Sequence, residues 1–396
     1  MRQPADLMIF NPGVQRAFDW LVDGAAGATN PVAVVARLLP ELVAAGLPVD
    51  RFAANVRTLH PGVVARAFSW QPGGAVKVVE HTWAQLEHPA FLASPIKKVF
   101  DEGREIRGRL MDGETLGFPF LEEMRAQGFT DYLILPLRFM AGSTHSASYA
   151  TQAPGGFSEE HIQALRHVTR ALTRVAETLA LMRTAVNLLN TYVGREAGER
   201  IWAGSITRGS TECIDCVVWF SDIRGFTTMS GERTPAEVIA VLNELFDCQV
   251  PAIEANGGQV LKFMGDGILA IFPISELRSA RVAGDAAVEA THRAFAALAL
   301  LNARRAANGE EALRFGVALH VGEVGYGNIG GANRLDFTAI GPVVNLASRI
   351  EGLTGKLDRP VLISEALALQ LGVPTRVVGE FELKGVARPQ AVHELV

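Results

Sequence analysis

Two aspartates stand where an apolar, strand-like run breaks into a turn that contains glycine. Asp222 follows the run VVWFS, and Asp266 lies between two glycines in KFMGDGILAIF. Such a break brings a carboxylate to the mouth of a sheet rather than into its core. Two hard oxygen ligands at rigid strand ends suit Mg²⁺ or Mn²⁺, which usually accompany a phosphate-bearing substrate. The pair predicts metal-assisted nucleotide chemistry, whereas a single aspartate after a strand is more often a turn former or a helix cap.

The elements around these aspartates predict an α+β sheet covered by helices. Thr234, Pro235 and Glu237 form a capping box with proline at the first helical position. A hairpin is predicted to turn at 265–267, and a long alanine-rich helix to cover about 277–306. The run FGVALHVGEVGYGNIG predicts two strands about a glycine turn, and RLDFTAIGPVVNLASRIEGLTG predicts a strand that feeds a helix.

Residues 1–157 are predicted to form a separate mixed domain. A helix in PVAVVARLLPELVAAG is followed by the strand-like runs RFAANVRTLHP and ARAFSWQPGGAVKVVEHT, the second with a hairpin turn at PGG. Two further strand-like runs are broken at Ala141 and Gly142. This order of elements, closed by the phrase PGGFSEEHIQAL, resembles a GAF sensory domain. The resemblance implies an α/β sensor with a small-molecule ligand in the pocket that faces its middle segment.

Residues 158–211 are predicted to link this region to the next domain as a coiled-coil helix and a glycine-rich transducer segment. Apolar residues recur there at alternating spacings of three and four, which predicts a parallel coiled coil between two copies of the chain. These residues are Leu165, Val168, Leu172, Val175, Leu179, Met182, Val186 and Leu189. The alternative is a single amphipathic helix that folds back on its own domain. The strict alternation favours the coiled coil, because it suits a narrow seam better than a broad face.

Length and composition limit the class of protein. The 396 residues suit two domains of ordinary size. The formal net charge is −5 with scattered Lys and Arg, which offers no face for nucleic acid. No window reaches the roughly 20 uncharged apolar residues of a membrane span, and the N-terminal apolar run is too short for a secretory signal, so the expected location is the cytoplasm. Three cysteines argue against a disulfide framework, and His60, His81, His88 and His145 lack the paired spacing of metal or haem ligands.

Four motifs carry a resemblance to one family. FSDIRGFT, KFMGDG, TAIGPVVNLASRIE and FELKG, in this order and at these separations, resemble the catalytic domain of the class III nucleotidyl cyclases. The resemblance assigns this domain to residues 212–396. It implies a ferredoxin-like βαββαβ core and an adenylate cyclase, which converts ATP to 3′,5′-cyclic AMP and pyrophosphate.

The same resemblance implies a metal site and a phosphate site. Asp222 and Asp266 would hold two Mg²⁺ or Mn²⁺ ions in each active site, and the backbone of Ile223 would supply a further oxygen. Phe226 and Thr227 lie in the turn that would wrap the triphosphate, which makes chemical sense because a turn that opens a helix presents free amides to anions. Two such ions lower the pKa of an attacking hydroxyl and clamp the leaving oxygens.

The remaining site residues follow by position in the motifs. Lys262 and Thr338 match the pair that reads the purine, and a lysine donor with a hydroxyl fits the adenine edge, which predicts ATP. A threonine at this position is typical of a bacterial subgroup, some members of which respond to bicarbonate. Asn345 and Arg349, one helical turn apart, match the pair that orients the ribose and stabilises charge on the α-phosphate. Lys384 matches a lysine that contacts the distal phosphates. Taken singly, Lys262 is more often a solvated strand residue and Lys384 a surface charge. Asn345 and Arg349, taken singly, more often serve helix ends.

The resemblance also implies a homodimer. In this family the metal aspartates come from one catalytic domain and the purine, ribose and transition-state residues from its partner, so a chain with the full set predicts two equivalent sites. The sensor would change the orientation of the two halves. Two alternatives stay open, a guanylate cyclase and a catalytically silent nucleotide-binding module. One departure from the family pattern is Pro342, which stands in place of a polar residue where a proline is well tolerated.

Overall fold

A computed structural model describes residues 11–58, 63–332 and 334–396. His60 and the N-terminal residues that bear on the signal-peptide prediction lie outside the described residues. The chain divides into two compact units, Met1–Leu188 and Leu189–Val396. None of the helices in the described ranges combines the length and apolarity needed to cross a lipid bilayer.

Within its described residues, the N-terminal unit is built on a six-stranded antiparallel sheet. Its strands are β1 (Arg51–Arg57), β2 (Ala65–Trp70), β3 (Lys77–His81), β4 (Ile106–Gly108), β5 (Asp131–Arg138) and β6 (Thr144–Thr151), in the order β3-β2-β1-β6-β5-β4. The hairpin predicted at PGG is confirmed, since β2 pairs with β3. The two strand-like runs on either side of Ala141 and Gly142 are β5 and β6, which also pair with each other.

Helices cover both faces of this sheet. They are α1 (Pro12–Val22), α2 (Pro31–Ala44), α3 (Pro89–Leu92), α4 (Pro95–Glu102), α5 (Pro119–Ala126) and α6 (Glu159–Val193), with short 3₁₀ turns at Trp83–Glu87 and Leu110–Asp112. Helix α2 begins where the side chain of Asn30 accepts a hydrogen bond from the Ala33 amide and Pro31 takes the first helical position. Helices α1, α2 and α6 share one apolar core with the sheet, and α4 and α5 share another.

The apolar stripe of α6 is buried along its first part and more exposed further along. Leu165, Val168 and Leu172 are buried in the core of the N-terminal unit, and Val175 and Leu179 pack against it. This is the arrangement expected of an amphipathic helix that folds on its own domain. Met182 is 45% exposed. The coiled coil therefore stays a prediction only for the stripe from Met182 to Leu189.

The C-terminal unit contains, within its described residues, an eight-stranded mixed sheet. The strands are β7 (Thr211–Ile223), β8 (Gln259–Met264), β9 (Gly267–Pro273), β10 (Phe315–Gly330), β11 (Leu335–Ile340), β12 (Val361–Ser364), β13 (Thr375–Phe381) and β14 (Gln390–Leu395). Their order is β13-β14-β12-β10-β7-β9-β8, and β11 pairs with β10. The β10–β12 pair is parallel, and the other pairs are antiparallel.

The helices of this unit pack on both faces of the sheet. They are α7 (Arg195–Trp202), α8 (Phe226–Glu232), α9 (Pro235–Ala255), α10 (Ala280–Ala307), α11 (Pro342–Thr354) and α12 (Glu365–Ala368). The capping box predicted at the start of α9 is confirmed, because the side chain of Thr234 accepts from the Glu237 amide and that of Glu237 from the Thr234 amide. Trp219 of β7 faces α9 and α10, whereas its neighbour Val218 faces α11, as the two-residue period of a strand requires.

The predicted turn inside FGVALHVGEVGYGNIG is wrong, because β10 runs through it as one continuous strand. Its glycines allow close packing instead of chain reversal. A Cβ on Gly322 would lie 2.7 Å from a methyl carbon of Val343 in α11, and a Cβ on Gly327 would lie 2.2 Å from the carbonyl oxygen of Ser210. Strand glycines commonly mark such close approaches, which a turn prediction from composition cannot distinguish.

Candidate active site

Asp222 and Asp266 lie side by side at one end of the C-terminal sheet. Asp222 is near the end of β7, and Asp266 occupies the turn between β8 and β9. Strand β9 pairs with β7 in a register that sets Ser221 opposite Ile268. A Cβ on Gly267 would lie 2.6 Å from the Ser221 carbonyl oxygen, so glycine is required for the hairpin to approach this closely. The two carboxyl groups are close enough for the charge of Asp266 to act directly on Asp222.

A third carboxyl group completes what we call the acidic cluster, defined as Asp222, Asp266 and Glu351. Glu351 lies on α11 and is buried, with its carboxylate accepting a hydrogen bond of 3.1 Å from the Thr354 hydroxyl. Gly316 of β10 pairs with Asp222, and a Cβ on Gly316 would lie 3.0 Å from Oε1 of Glu351. A glycine here therefore lets α11 bring Glu351 close to Asp222.

Burial and mutual repulsion raise the pKa values in the acidic cluster. Burial, and then the charge of Asp266, raise the pKa of Asp222 to about 6, and a hydrogen bond from the Ile223 amide opposes that rise. Burial, and then the charge of Asp222, raise the pKa of Glu351 to about 7. Like charges held together out of water favour protonation or an added cation. The acidic cluster is thus electrostatically suited to a divalent metal ion.

The residues fit such an ion through carboxylate oxygens. Within the described ranges, no group of three or more His, Cys, Asp or Glu side chains is arranged to hold a metal ion. Asp222 and Asp266 would therefore supply two carboxylates, and the remaining ligands of an oxygen-liganded ion would be backbone, substrate or water. Mg²⁺ is commonly bound in this way, with one or two protein carboxylates and substrate phosphates.

The turn after Asp222 is fastened to the rest of the unit by Arg224. Its backbone amide donates to the Arg314 carbonyl at 3.0 Å, and its guanidinium donates to the carbonyl oxygens of Thr354 at 2.9 Å and Arg359 at 2.6 Å. Gly225 follows with φ of 74° and caps α8, which begins at Phe226. Arg224 thereby fixes the position of the turn that carries Phe226 and Thr227.

Lys262 and Thr338 lie on β8 and β11, and an additional residue ties the two strands together. The ammonium group of Lys262 forms an ion pair with the carboxylate of Asp336. Asp336 and Thr338 are two residues apart on β11 and so face the same side of the strand. The structure therefore groups an ammonium, a carboxylate and a hydroxyl at one place, two of which the sequence motifs predicted.

Asn345 and Arg349 are exposed on α11, one helical turn apart as predicted. Pro342 is the first residue of this helix, a position at which proline is well tolerated, as expected from the sequence. Lys384 is exposed in a turn between β13 and β14. In the described part of the chain, no hydrogen bond or ion pair joins the acidic cluster to Lys262, Asn345, Arg349 or Lys384.

Sequence reasoning missed Glu351, Asp336 and Arg224. The signal for Glu351 was present, because Ala347, Ile350, Glu351 and Thr354 recur at helical spacing and the other three are buried. A carboxylate within that stripe indicates a buried acid. Asp336 and Arg224 gave no such signal, because the Lys262 ion pair and the Arg224 contacts join segments far apart in the sequence.

Comparison with known proteins finds one family model that matches most of this unit. Residues 210–395 match the model of the Adenylate and Guanylate cyclase catalytic domain. Adenylate cyclase 1 of Rhizobium meliloti (strain 1021) is 31% identical over 207 residues, which cover 51% of this chain and 29% of that protein. The adenylate cyclase of Anabaena cylindrica is 34% identical over 174 residues, covering 43% of this chain and 33% of that protein. The chain thus spans about a third of the length of these relatives.

A solved structure is similar over the same region. The crystal structure of the guanylyl cyclase Cya2 is 30% identical, with a TM-score of 0.41, and covers 47% of this chain and 93% of that chain.

Proposed function

We propose that residues 210–395, which match the model of the Adenylate and Guanylate cyclase catalytic domain, convert ATP to 3′,5′-cyclic AMP and pyrophosphate. The observation that carries the proposal is the close pair of Asp222 and Asp266, whose shared burial and charge raise the pKa of Asp222 to about 6. Carboxylates held this close repel one another, and bound cations relieve that repulsion. The pair is therefore suited to the divalent cations that accompany a triphosphate.

In this reaction the 3′ oxygen of ATP bonds to the α-phosphorus, the bond from that phosphorus to the oxygen of pyrophosphate breaks, and the hydroxyl proton leaves to solvent. Two bound Mg²⁺ or Mn²⁺ ions would supply charge neutralisation and a lowered hydroxyl pKa. Asp222, Asp266 and the backbone of Ile223 would hold these ions. The turn at Phe226 and Thr227, fixed by Arg224, offers its amides to the phosphates.

The exposed side chains supply the rest of the site. Arg349 stabilises the negative charge that develops on the α-phosphate, and Asn345 orients the ribose. Lys384 contacts the distal phosphates. All three are solvent-accessible, and none is engaged in an ion pair within the described residues, which leaves them available to substrate.

The purine is read by Lys262 and Thr338. An ammonium donor and a hydroxyl suit the acceptor and amino groups of the adenine edge. The two similar proteins from R. meliloti and A. cylindrica are named adenylate cyclases, which supports the same choice. The second candidate is a guanylate cyclase, which the similarity to the guanylyl cyclase Cya2 keeps open.

The active unit is a homodimer with two equivalent sites. The acidic cluster makes no hydrogen bond or ion pair with Lys262, Asn345 or Arg349 in the described residues, which supports a division of the site between two chains. We assign residues 1–157 to a GAF-like sensor, 158–211 to the linker and 212–396 to the catalytic domain. The part of the α6 stripe from Met182 to Leu189, which lies beyond the core of the N-terminal unit, would supply the coiled coil between the chains.

The test of the activity is cyclic nucleotide production by the full chain with ATP or GTP and with Mg²⁺ or Mn²⁺, beside an Asp266→Ala variant. We expect cyclic AMP from the wild type and none from the variant. Cyclic GMP as the main product would overturn the assignment of Lys262 and Thr338. The absence of any product from a folded dimer would instead identify a silent nucleotide-binding module.

The shared site has a separate test. Asp266→Ala removes a metal ligand, and Arg349→Ala removes the transition-state guanidinium. If each site takes one residue from each chain, a mixture of the two inactive variants forms heterodimers in which one site is intact. Turnover should return on mixing and stay absent in each variant alone. No recovery, with subunit exchange verified by mass spectrometry, would contradict the shared site.

A further inference from the structure

A cavity of about 1060 Å³ lies in the N-terminal unit between strand β5 and helix α6. Its charged lining is five arginines and one glutamate, which we call the arginine groove: Arg104, Arg138, Arg166, Arg170, Arg174 and Glu105. Leu135 and Pro136 of β5 form part of its floor. Its volume is at the upper end of the range typical of small-molecule sites, roughly 300–1,000 Å³.

Three of the arginines form a stripe on α6. Arg166, Arg170 and Arg174 are each four residues apart, so they lie on one face of the helix. Arg104 and Arg138 approach from the other side, one after helix α4 and the other at the end of β5. Three separate segments of the unit therefore direct guanidinium groups toward one concave surface.

The internal partners of these arginines leave a positive excess. Arg166 pairs with Glu105 through two of its nitrogens. Arg174 pairs with Glu177 and also donates to the Arg138 carbonyl oxygen. Arg138 donates to the Gly103 carbonyl oxygen, which is a neutral partner. Glu105 is the one carboxylate among the described residues of the lining.

Arg104 and Arg170 form no ion pair in the described part of the chain. Guanidinium groups stay charged at any physiological pH, so their mutual repulsion is not relieved by loss of a proton. A bound anion relieves it. Guanidinium also matches phosphate in geometry, since its N–H groups form paired, charge-assisted hydrogen bonds with phosphate oxygens.

We propose that the arginine groove binds a small phosphate-bearing anion. The groove is recessed, and Leu135 beside it is buried rather than projecting, which suits a small molecule better than a membrane surface. The site rests on α6, and this helix continues to Val193. A ligand that neutralises the stripe on α6 would therefore act on the segment that links the sensor to the catalytic domain, although binding itself does not depend on the proposed cyclase activity.

The experiment is a titration of the full chain with inorganic tripolyphosphate, with binding measured by calorimetry. EDTA is present so that no divalent ion supports binding at the acidic cluster. The groove variant is Arg104→Ala with Arg170→Ala. The matched control is Arg125→Ala with Arg183→Ala, two exposed arginines of the same unit that do not line the groove. All four side chains are exposed, and circular dichroism confirms that each variant is folded.

We expect one saturable site per chain in the groove. Its affinity for tripolyphosphate should fall about a hundredfold in the groove variant and stay unchanged in the control, since each lost charge-assisted contact lowers affinity roughly tenfold. Equal weakening in both variants would show non-specific charge attraction and overturn the proposal. Failure of the wild type to bind would also overturn it. A parallel arm uses vesicles of phosphatidylglycerol, and binding to vesicles without binding of tripolyphosphate would replace the small anion with a membrane.

Discussion

The two units of this chain each gather charges of one sign, and they do so with side chains of different chemistry. The acidic cluster of the C-terminal unit brings together three carboxyl groups. The arginine groove of the N-terminal unit brings together five guanidinium groups. Carboxyl groups can escape repulsion by taking up protons, whereas guanidinium groups cannot. We therefore expect the acidic cluster to respond to pH and to metal ions, and the guanidinium groups of the arginine groove to respond to anions and ionic strength.

The largest expected effect tests the acidic cluster. Asp222→Asn keeps the shape of the side chain and removes one of the two metal carboxylates, so we expect cyclic nucleotide production to fall about a thousandfold or more. The fold should survive, and without metal the melting temperature should rise slightly, because repulsion with Asp266 is removed. The measurement is turnover with Mn²⁺ together with a thermal melt in EDTA.

The matched control for this variant is Asp215→Asn, which changes an exposed aspartate on the same strand, β7. Its turnover should equal that of the wild type. If Asp222→Asn retained full turnover, the acidic cluster would not be the metal site. Its comparison with the arginine groove would then concern charge alone and not function.

A second prediction concerns pH in the absence of metal. The pKa of Glu351 is raised from 4.5 to about 7, so the folded state holds a proton that the unfolded state has released. Stability is then highest below the unfolded pKa and is lost as pH rises through about 7. We expect the C-terminal unit in EDTA to lose about 2 kcal/mol between about pH 5 and about pH 8, with a smaller share from the half-buried Asp222.

Urea unfolding at a series of pH values measures this slope. Excess Mg²⁺ should reverse it, because metal binding needs deprotonated carboxylates and so stabilises the unit more at higher pH. Glu351→Gln should flatten most of the slope. A stability that stays constant across this pH range in EDTA would show that the three carboxyl groups do not repel one another as their positions indicate.

The sequence predicted the parts of the site that depend on local pattern. Asp222 and Asp266 were found because each breaks an apolar strand at a glycine turn, and the register of β7 and β9 brings them together. Asn345 and Arg349 were placed on one helix face by their spacing. The same reasoning predicted the hairpin at PGG in the N-terminal unit, which the pairing of β2 with β3 confirms.

Features assembled from distant segments could not be predicted in this way. Asp336 reaches Lys262 across 74 positions of the sequence, and the arginine groove combines three segments. The continuous strand β10 was predicted as two strands, because the glycines that admit Val343 and Ser210 look the same in the sequence as glycines that turn a chain. The spacing of apolar residues on α6 predicts that this face of the helix is covered. It does not predict which part packs on the helix's own unit and which part could pack on a second chain.

The third prediction concerns the ion pair between Lys262 and Asp336. Asp336 is a positioning residue in our proposal, since it holds the ammonium group that reads the purine. We expect Asp336→Asn to lower kcat/KM for ATP about tenfold, mostly through KM, and to narrow the preference for ATP over GTP. Steady-state kinetics with both nucleotides measure this change.

The control for Asp336 is Asp358→Asn, which changes an exposed aspartate in the turn after α11. In the described part of the chain, Asp358 pairs with Arg224 and with no proposed purine-reading residue. Its preference for ATP over GTP should be that of the wild type. If Asp336→Asn lowers activity with ATP and GTP to the same extent, the ion pair supports the fold of β8 and β11 and has no part in base choice.

The smallest expected effect concerns Glu105, a carboxylate that lines the arginine groove. In our proposals a carboxylate of the acidic cluster is a metal ligand, whereas Glu105, which pairs with Arg166, would compete with an anion in the arginine groove. Glu105→Gln should therefore raise the affinity of the groove for tripolyphosphate a few-fold, while the loss of an exposed ion pair costs less than about 1 kcal/mol of stability. Calorimetry in EDTA measures the change, and Glu87→Gln, an exposed glutamate of the same unit outside the groove, is the control. An affinity that falls in Glu105→Gln would mean that the carboxylate holds Arg166 in place for the anion, so that the groove is preorganised by its ion pair instead of being blocked by it.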